Sequence, residues 1–281
     1  MTKIWRKVLY ENFDVPDNYV DESSFLKNMK TNLYVKEYNL HETIIEAGSI
    51  YHQFCWIIIF VFIYIFMSLD IIGISKLVIL LFCCIIFGYF IIFLIDRNLD
   101  DFLLEIRIGS TTVLFNIILC PVLHTLTASI STDTIYALTL FLLIASWACH
   151  TYNSVESLNG KIELNPLSLN AGLMASLCLS SRLPSLWHTF VMVNSAMAIF
   201  GLQPNFTGKI KKTFYPHLQI SMTIILSLIC FLCLWYWLST FVTVCFVLLA
   251  LGINFICPLI FIRMQRLKNN IHGPWDEAVP K

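Results

Sequence analysis

The chain has 281 residues, of which 58% are hydrophobic and only 13% charged, with 18 basic residues balanced by 18 acidic ones. Soluble domains carry roughly 25% charged residues, so the composition excludes an ordinary soluble enzyme. A net charge of zero gives no electrostatic reason to expect a nucleic-acid partner. Fourteen of the 36 charges fall in the first 50 residues, which predicts an integral membrane protein with a polar N-terminal arm.

The arm comes first. From Ser24 onwards, Phe25, Met29 and Leu33 recur at helical spacing, with Lys27, Lys30 and Lys36 off that line. This predicts a helix lying in the headgroup region or against a cytoplasmic partner, and the spacing does not separate the two. The first long apolar run begins only near Phe54, too late for a cleavable signal, so the first span is expected to direct the chain to the membrane.

A bilayer core takes about 20 apolar residues as a helix. Eight stretches are candidates, the fifth of them short and polar: 51–69, 77–95, 108–128, 134–150, 167–181, 186–203, 218–238 and 240–262. The predicted fold is therefore all-α, a polytopic membrane bundle of about eight transmembrane helices. It is divided into an arm (1–50), the bundle (51–262) and a C-terminal tail (263–281). Eight spans put both termini on one side, together with 16 of the 18 basic residues, and leave Lys76 and Arg182 on the other. Basic loops are retained in the cytoplasm, so both termini are predicted to be cytoplasmic. The sequon Asn205-Phe206-Thr207 then falls in a cytoplasmic loop and stays unmodified.

The third and fourth spans are joined by HTLTASISTDTIYAL, residues 124–138. Ser131, Thr132 and Asp133 stand where an N-terminal cap is needed. Thr125 and Thr127 can bond back to their own helix, and His124 has no evident local role. Arg182 is the one cation in the other lumenal loop beside a polar helix, so an Asp133–Arg182 contact is expected and this segment reads as a lumenal cap and packing corner. In the fifth span Ser168, Gly172, Ser176 and Ser180 recur every four residues, a pattern that lets helix backbones approach closely. Asn116, Asn170, Asn194 and Asn254 lie within spans, where each amide needs an interhelical partner, and a polar lining for a lipid headgroup is the sharper alternative. Ser168, Asn170, Gly172, Ser176 and Ser180 are the predicted helix-packing residues.

The usual equipment for chemistry is missing from the pattern. There is no Gly-rich nucleotide loop after a strand and no H-E-x-x-H. The ten cysteines lie in or at the ends of apolar runs, and Cys230-x-x-Cys233 has no second pair, so neither disulfides nor zinc are expected. Asp96, Asp100, Asp101 and Glu105 form an acidic group that reads as a solvated loop face in preference to a cation site. No metal, no cofactor and no catalytic residue is assigned.

Four segments together resemble one family. They are KVLYENFDVPDNYVD (7–21), CPVLHTLTASISTDTIYAL (120–138), SLNAGLMASLCLSSRLP (168–184) and CPLIFIRMQRLKNNIHGPWDEA (257–278). In this order they resemble the PIG-C family, the C subunits of phosphatidylinositol N-acetylglucosaminyltransferase. The family pattern has Lys where His124 stands and Glu where Ala128 stands.

The resemblance implies a multi-pass subunit of an endoplasmic-reticulum complex that begins glycosylphosphatidylinositol-anchor synthesis. That complex transfers GlcNAc from UDP-GlcNAc to phosphatidylinositol on the cytoplasmic face. It further implies that catalysis belongs to PIG-A, with PIG-H, PIG-P, PIG-Q and PIG-Y as other partners.

The first expectation is thus a non-catalytic scaffold that offers the lipid acceptor. One alternative is a polytopic enzyme using His124 and Asp133 as acid and base. The other is a lipid transporter or scramblase, against which stands the absence of repeated halves with matching broken helices. In the tail, Gly273-Pro274 fixes a turn that presents His272, Trp275, Asp276 and Glu277, either as a contact for the catalytic partner or with Trp275 at the lipid headgroups.

Overall fold

The computed structural model describes residues 30–31, 38–97, 99–127, 129–152, 165–214, 217–265, 267–268 and 271–272. Among these residues the chain is a series of helices: α1 (Leu40–Ser68), α2 (Ile74–Asp96), α3 (Leu99–Thr125), α4 (Thr132–Ala148), α5 (Pro166–Ser180) and α6 (Leu186–Ala196). A π-turn at Met197–Leu202 leads into α7 (Gln203–Phe214), and α8 (His217–Trp237) follows. Then α9 (Thr240–Leu251) passes through a second π-turn, Gly252–Ile256, into α10 (Cys257–Gln265). Helices joined through π-turns count as one rod, and each of the eight rods overlaps one of the eight predicted spans. Five are long and apolar enough to cross a membrane. A helix satisfies its own backbone, which is why apolar runs adopt no other form in hydrocarbon.

The chain forms two compact units, one from residues 1–43 with 258–281 and one from 44–257. In the first, β1 (Lys30–Thr31) pairs antiparallel with β2 (Ile271–His272), Lys30 opposite His272. Tyr38 meets the edge of the Phe261 ring at 5.6 Å. The helix expected from Ser24 is therefore not continuous through Lys30, whose backbone is in a strand. Phe25, Lys27, Met29, Leu33 and Lys36 lie outside the described residues.

In the larger unit α1 is the axis. Half of its apolar stretch is buried, against 11% for α2 and for α3. One side of α1 buries Phe60, Tyr64 and Met67 with Val191 and Met192 of α6 and Phe200 of the π-turn. The other side buries Tyr51, Cys55 and Phe62 with Leu226, Cys230 and Leu234 of α8 and Phe246 of α9. The cysteines of the described residues are all free thiols.

The 15-residue α5 is about 22 Å long, shorter than the ~30 Å hydrocarbon core. It does not face lipid on its small-residue side: Ser168, Ala171, Gly172, Ala175, Ser176 and Ser180 are buried. A Cβ on Gly172 would lie 2.5 Å from the Phe200 ring, so the ring occupies the space that glycine leaves. Ser146 Oγ donates to the Ser168 carbonyl at 2.8 Å and Ser168 Oγ donates to the Ser146 carbonyl at 2.7 Å, a reciprocal clasp between α4 and α5. Asn170 corrects the sequence reading. It is exposed, because two residues on from Ser168 is about 200° around a helix and so the opposite face.

The other amides divide. Asn116 Nδ2 donates to Asn194 Oδ1 at 3.2 Å, joining α3 to α6. Asn254 instead donates to the Ala250 carbonyl of its own helix at 2.8 Å. The sequon is not in a loop, since Asn205 and Thr207 lie within α7.

Candidate functional site

Two polar regions stand at opposite ends of the larger unit. The first is the corner where α3 ends and α4 begins. Ser131 precedes α4 with extended backbone, and Thr132 and Asp133 form the first turn. The Ser131 side chain caps no backbone N–H; it shares a hydrogen bond with the Thr134 hydroxyl at 2.9 Å. His124 Nδ1 is 3.0 Å from Thr189 Oγ1 of α6, and Thr189 Oγ1 donates to the Ser180 carbonyl at 3.3 Å.

Thr127 departs from the expected bond to its own helix and donates to Ser181 Oγ at 2.7 Å. Arg182 also departs from expectation, because among the described residues it forms no ion pair with Asp133. Its Nη2 donates to the Thr127 carbonyl at 3.0 Å and to the Ile130 carbonyl. Those carbonyls lie just past the end of α3, where the chain leaves helical pairing; the Thr127 carbonyl also accepts the Ile130 N–H at 3.2 Å. The corner holds the ends of α3, α4, α5 and α6 together, and His124 and Asp133 are not joined by a hydrogen bond.

The second region has no counterpart among the sequence expectations. At the end of the unit where α1 begins, a polar cavity of about 40 Å³ is lined by residues of four segments. Ser49, His52 and Gln53 come from α1, and His150 and Tyr152 from the chain just beyond α4. Gln203, Thr207 and Lys211 come from α7, and Gln219 from α8.

Local structure explains the convergence. Within the π-turn the Gln203 N–H donates to the Ala198 carbonyl, five residues back. That extra residue rotates the following helix by about 100° relative to a regular one. Gln203, Thr207 and Lys211 then share one face at four-residue spacing, and it is this face that lines the cavity. On the α4 side, Trp147 Nε1 donates to the Ile50 carbonyl at 3.1 Å and Tyr152 OH donates to the Trp147 carbonyl at 2.6 Å. Asn165 caps α5 and also donates to the Cys149 carbonyl at 2.8 Å.

Trp56 Nε1 donates to His52 Nε2 at 3.0 Å. Indole is only a donor, so this bond makes His52 Nε2 the acceptor and puts the ring proton on Nδ1. His52 Nδ1 stands 3.3 Å from Thr223 Oγ1, which donates to the Gln219 carbonyl at 2.9 Å. Gln219 Nε2 donates to Ser49 Oγ at 2.6 Å, and Gln203 Nε2 donates to Thr207 Oγ1 at 2.7 Å. The buried Lys211 ammonium pairs with Glu46 at 2.5 Å, and Glu46 is the exposed partner. Beyond the end of α4, burial holds the His150 imidazole down to about 4, so it is neutral at neutral pH. Burial likewise pushes the Tyr152 phenol well above its usual range.

What sets this cavity apart is what remains unpaired. Gln53 Nε2, Gln203 Oε1 and Gln219 Oε1 are buried and have no hydrogen-bond partner. Turning the Gln203 or Gln219 amide does not help, because a hydroxyl serves either end and the other end is then orphaned. A buried polar group left unmade costs about 1–3 kcal/mol. One signal in the sequence could have found the site: the chain has only four glutamines, and three of them line this cavity.

Of the predicted partner-contact residues, His272 lies in β2, and Trp275, Asp276 and Glu277 are outside the described residues. In the acidic group, Glu105 pairs with Lys209 of α7 at 3.1 Å. The Asp96, Asp100 and Asp101 side chains are outside the described set. No group of three or more metal-ligating side chains occurs among the described residues.

Residues 5–276 match the family described as "Phosphatidylinositol N-acetylglucosaminyltransferase". A mouse protein, named as the C subunit of phosphatidylinositol N-acetylglucosaminyltransferase, is 36% identical over 280 residues, covering 98% of this chain and 92% of its own. The human protein of the same name is 34% identical with the same coverage. The fission-yeast "Phosphatidylinositol N-acetylglucosaminyltransferase GPI2 subunit" is 31% identical over 100% of this chain and 88% of its own. No solved structure matches the chain.

Proposed function

The chain belongs to the PIG-C family, the C subunits of phosphatidylinositol N-acetylglucosaminyltransferase, and on that premise we propose that it is a non-catalytic membrane subunit of such a transferase. The complex transfers GlcNAc from UDP-GlcNAc to phosphatidylinositol in the endoplasmic-reticulum membrane, the first step of glycosylphosphatidylinositol-anchor synthesis. This chain scaffolds it and offers the acceptor lipid. Both termini face the cytoplasm, the side on which 16 of the 18 basic residues then fall. That orientation puts the polar cavity at the cytoplasmic leaflet and the corner at the lumen.

The observation that carries this reading is the placement of the cavity. A partly open recess lined by polar side chains of four segments lies, in the proposed orientation, at the leaflet where the sugar donor is used. His124 and Asp133, the acid–base pair of the enzymatic alternative, stand at the other end, each in a structural position.

The catalytic partner is PIG-A, with PIG-H, PIG-P, PIG-Q and PIG-Y completing the assembly. The tail around His272, Trp275, Asp276 and Glu277 is the proposed contact with PIG-A. The direct test is to assay the purified chain alone and with its partners in lipid nanodiscs. Transfer is expected only with the partners present, and GlcNAc transfer by the chain alone overturns the proposal. Deleting residues 271–281 should reduce co-purification of PIG-A; full recovery removes the tail contact and leaves the rest standing.

A further inference from the structure

Three buried amides around one cavity are an unusual defect in a folded protein. Each unpaired donor or acceptor weakens the fold, and such atoms in native structures call for an explanation. Each amide can leave either its NH2 or its carbonyl unpaired, depending on which way it is turned, so together they offer both donors and acceptors. A hydroxyl is the group that satisfies both kinds at once, since it donates one proton and accepts through two lone pairs. Several hydroxyls on one ring fit three amides from three helices better than a carboxylate or an alkyl chain does.

The cavity wall also carries one cation, Lys211, only 8% exposed and held against the more accessible side of an ion pair, Glu46, which is 47% exposed. An anion arriving from the membrane surface exchanges with Glu46 without either charge being left buried and alone. A basic recess at the end of a helix bundle on the cytoplasmic side is the setting in which phosphorylated lipid headgroups are recognised.

We propose that this cavity is the binding site for the polyol phosphate headgroup of the acceptor lipid. Gln53, Gln203 and Gln219 engage ring hydroxyls, and Lys211 engages the phosphodiester in exchange for Glu46. The inference rests on the reading that this subunit offers the lipid to its catalytic partner, and it names where and through which atoms. The recess, about 40 Å³, has room for a few oxygen atoms, each water needing roughly 10–15 Å³ by the same measure. It therefore takes one edge of the ring and leaves the rest in the interface, open to the catalytic partner. Each terminal amide turns about its last torsion, which is broad and two-fold, so either end can be offered to the ring. The acyl chains remain in the bilayer beside the bundle.

The test uses the assembled complex in phosphatidylcholine nanodiscs with increasing phosphatidylinositol, comparing wild type with Gln53→Met and Glu46→Gln. Gln53→Met removes an unpaired amide and keeps the shape, so assembly is expected to persist. The half-saturating phosphatidylinositol concentration should rise roughly three- to tenfold, the worth of one hydrogen bond, at unchanged response to UDP-GlcNAc. Glu46→Gln removes the charge that the phosphate must displace at Lys211 and should lower that concentration. Unchanged half-saturation in both variants overturns the headgroup site and shows a cavity that holds water only, while the scaffold reading survives.

A second measurement covers any failure of the variants to assemble. A phosphatidylinositol with a photoreactive group on the ring, cross-linked to the wild-type complex, should mark residues 49–53, 150–152 or 203–219. Excess glycerophosphoinositol should compete and phosphatidylserine should not. Cross-links confined to other segments overturn the site, and equal competition by phosphatidylserine reduces it to a phosphate site without polyol recognition.

Discussion

At the corner between α3 and α4, His124, Thr127, Ser131, Thr189 and Arg182 all find partners within the chain, and among the buried side-chain atoms of the described residues there only Arg182 Nε is left over. At the other end of the same unit Gln53, Gln203 and Gln219 surround a cavity and each keeps one atom unpaired. The corner contains the most conspicuous polar motif in the sequence, yet its hydrogen bonds are spent on joining helix ends. The cavity contains no motif, and its unpaired atoms leave it able to bind something else. In a membrane bundle, a polar residue therefore says little about function until its partners are known.

This contrast can be broken most severely at the corner. Arg182→Met removes two charge-assisted bonds to carbonyls that have left helical pairing and should cost about 1.5–3 kcal/mol, seen as a lower midpoint in thermal aggregation of the complex. Arg182→Lys should restore only part of that loss, because an ammonium lacks the planar fork. A wild-type midpoint for Arg182→Met would mean that the corner is not held as described.

Next comes the close contact between α5 and the first π-turn. Gly172→Ala puts a methyl into the Phe200 ring and should cost about 1–3 kcal/mol as overpacking, and Phe200→Leu in the same chain should recover part of it. Smaller effects then set the two ends against each other. Thr127→Val leaves Ser181 without its donor and should cost about 1 kcal/mol, whereas Gln53→Met should be neutral or slightly stabilising, since its amide makes no bond to lose through Nε2. A large destabilisation by Gln53→Met would show that the amide is structural after all.

The smallest effect concerns pH. The folded chain holds the His150 imidazole down to about 4, while an unfolded one titrates near 6.5. Between those values the unfolded state binds more protons, so His150 destabilises the fold progressively as pH falls from about 6.5 to 4 and contributes nothing above that window. His150→Asn should flatten the acid side of the stability profile slightly, as measured by thermal midpoints at stepwise pH.

Much of the fold is legible because hydrocarbon admits only helices: the eight apolar stretches become eight rods, with the short, polar α5 among them. The first rod begins at Leu40, some ten residues before its apolar run, in a stretch where Glu42, Glu46 and Ala47 favour helix without adding to the apolar run. The corner was legible as a cap position but not in its bonds. The Arg182 side chain chose two loop carbonyls over an exposed carboxylate, a choice that depends on where two loops meet in space. Asn116 and Asn194 could be seen to need partners, but that they pair with each other while Asn170 faces outwards follows from helix rotation. The cavity was hidden for a further reason. Its glutamines are scattered from residue 53 to 219, and the π-turn that swings Gln203 and Lys211 inwards has no signature in the sequence. Only the scarcity of glutamine pointed there.

The most direct measurement of the central claim is hydrogen–deuterium exchange on the complex in phosphatidylcholine nanodiscs, with and without phosphatidylinositol. Protection is expected at residues 149–152 and 203–219, around the cavity, with residues 124–134 at the corner unchanged. Protection at the corner with none at the cavity would contradict the account.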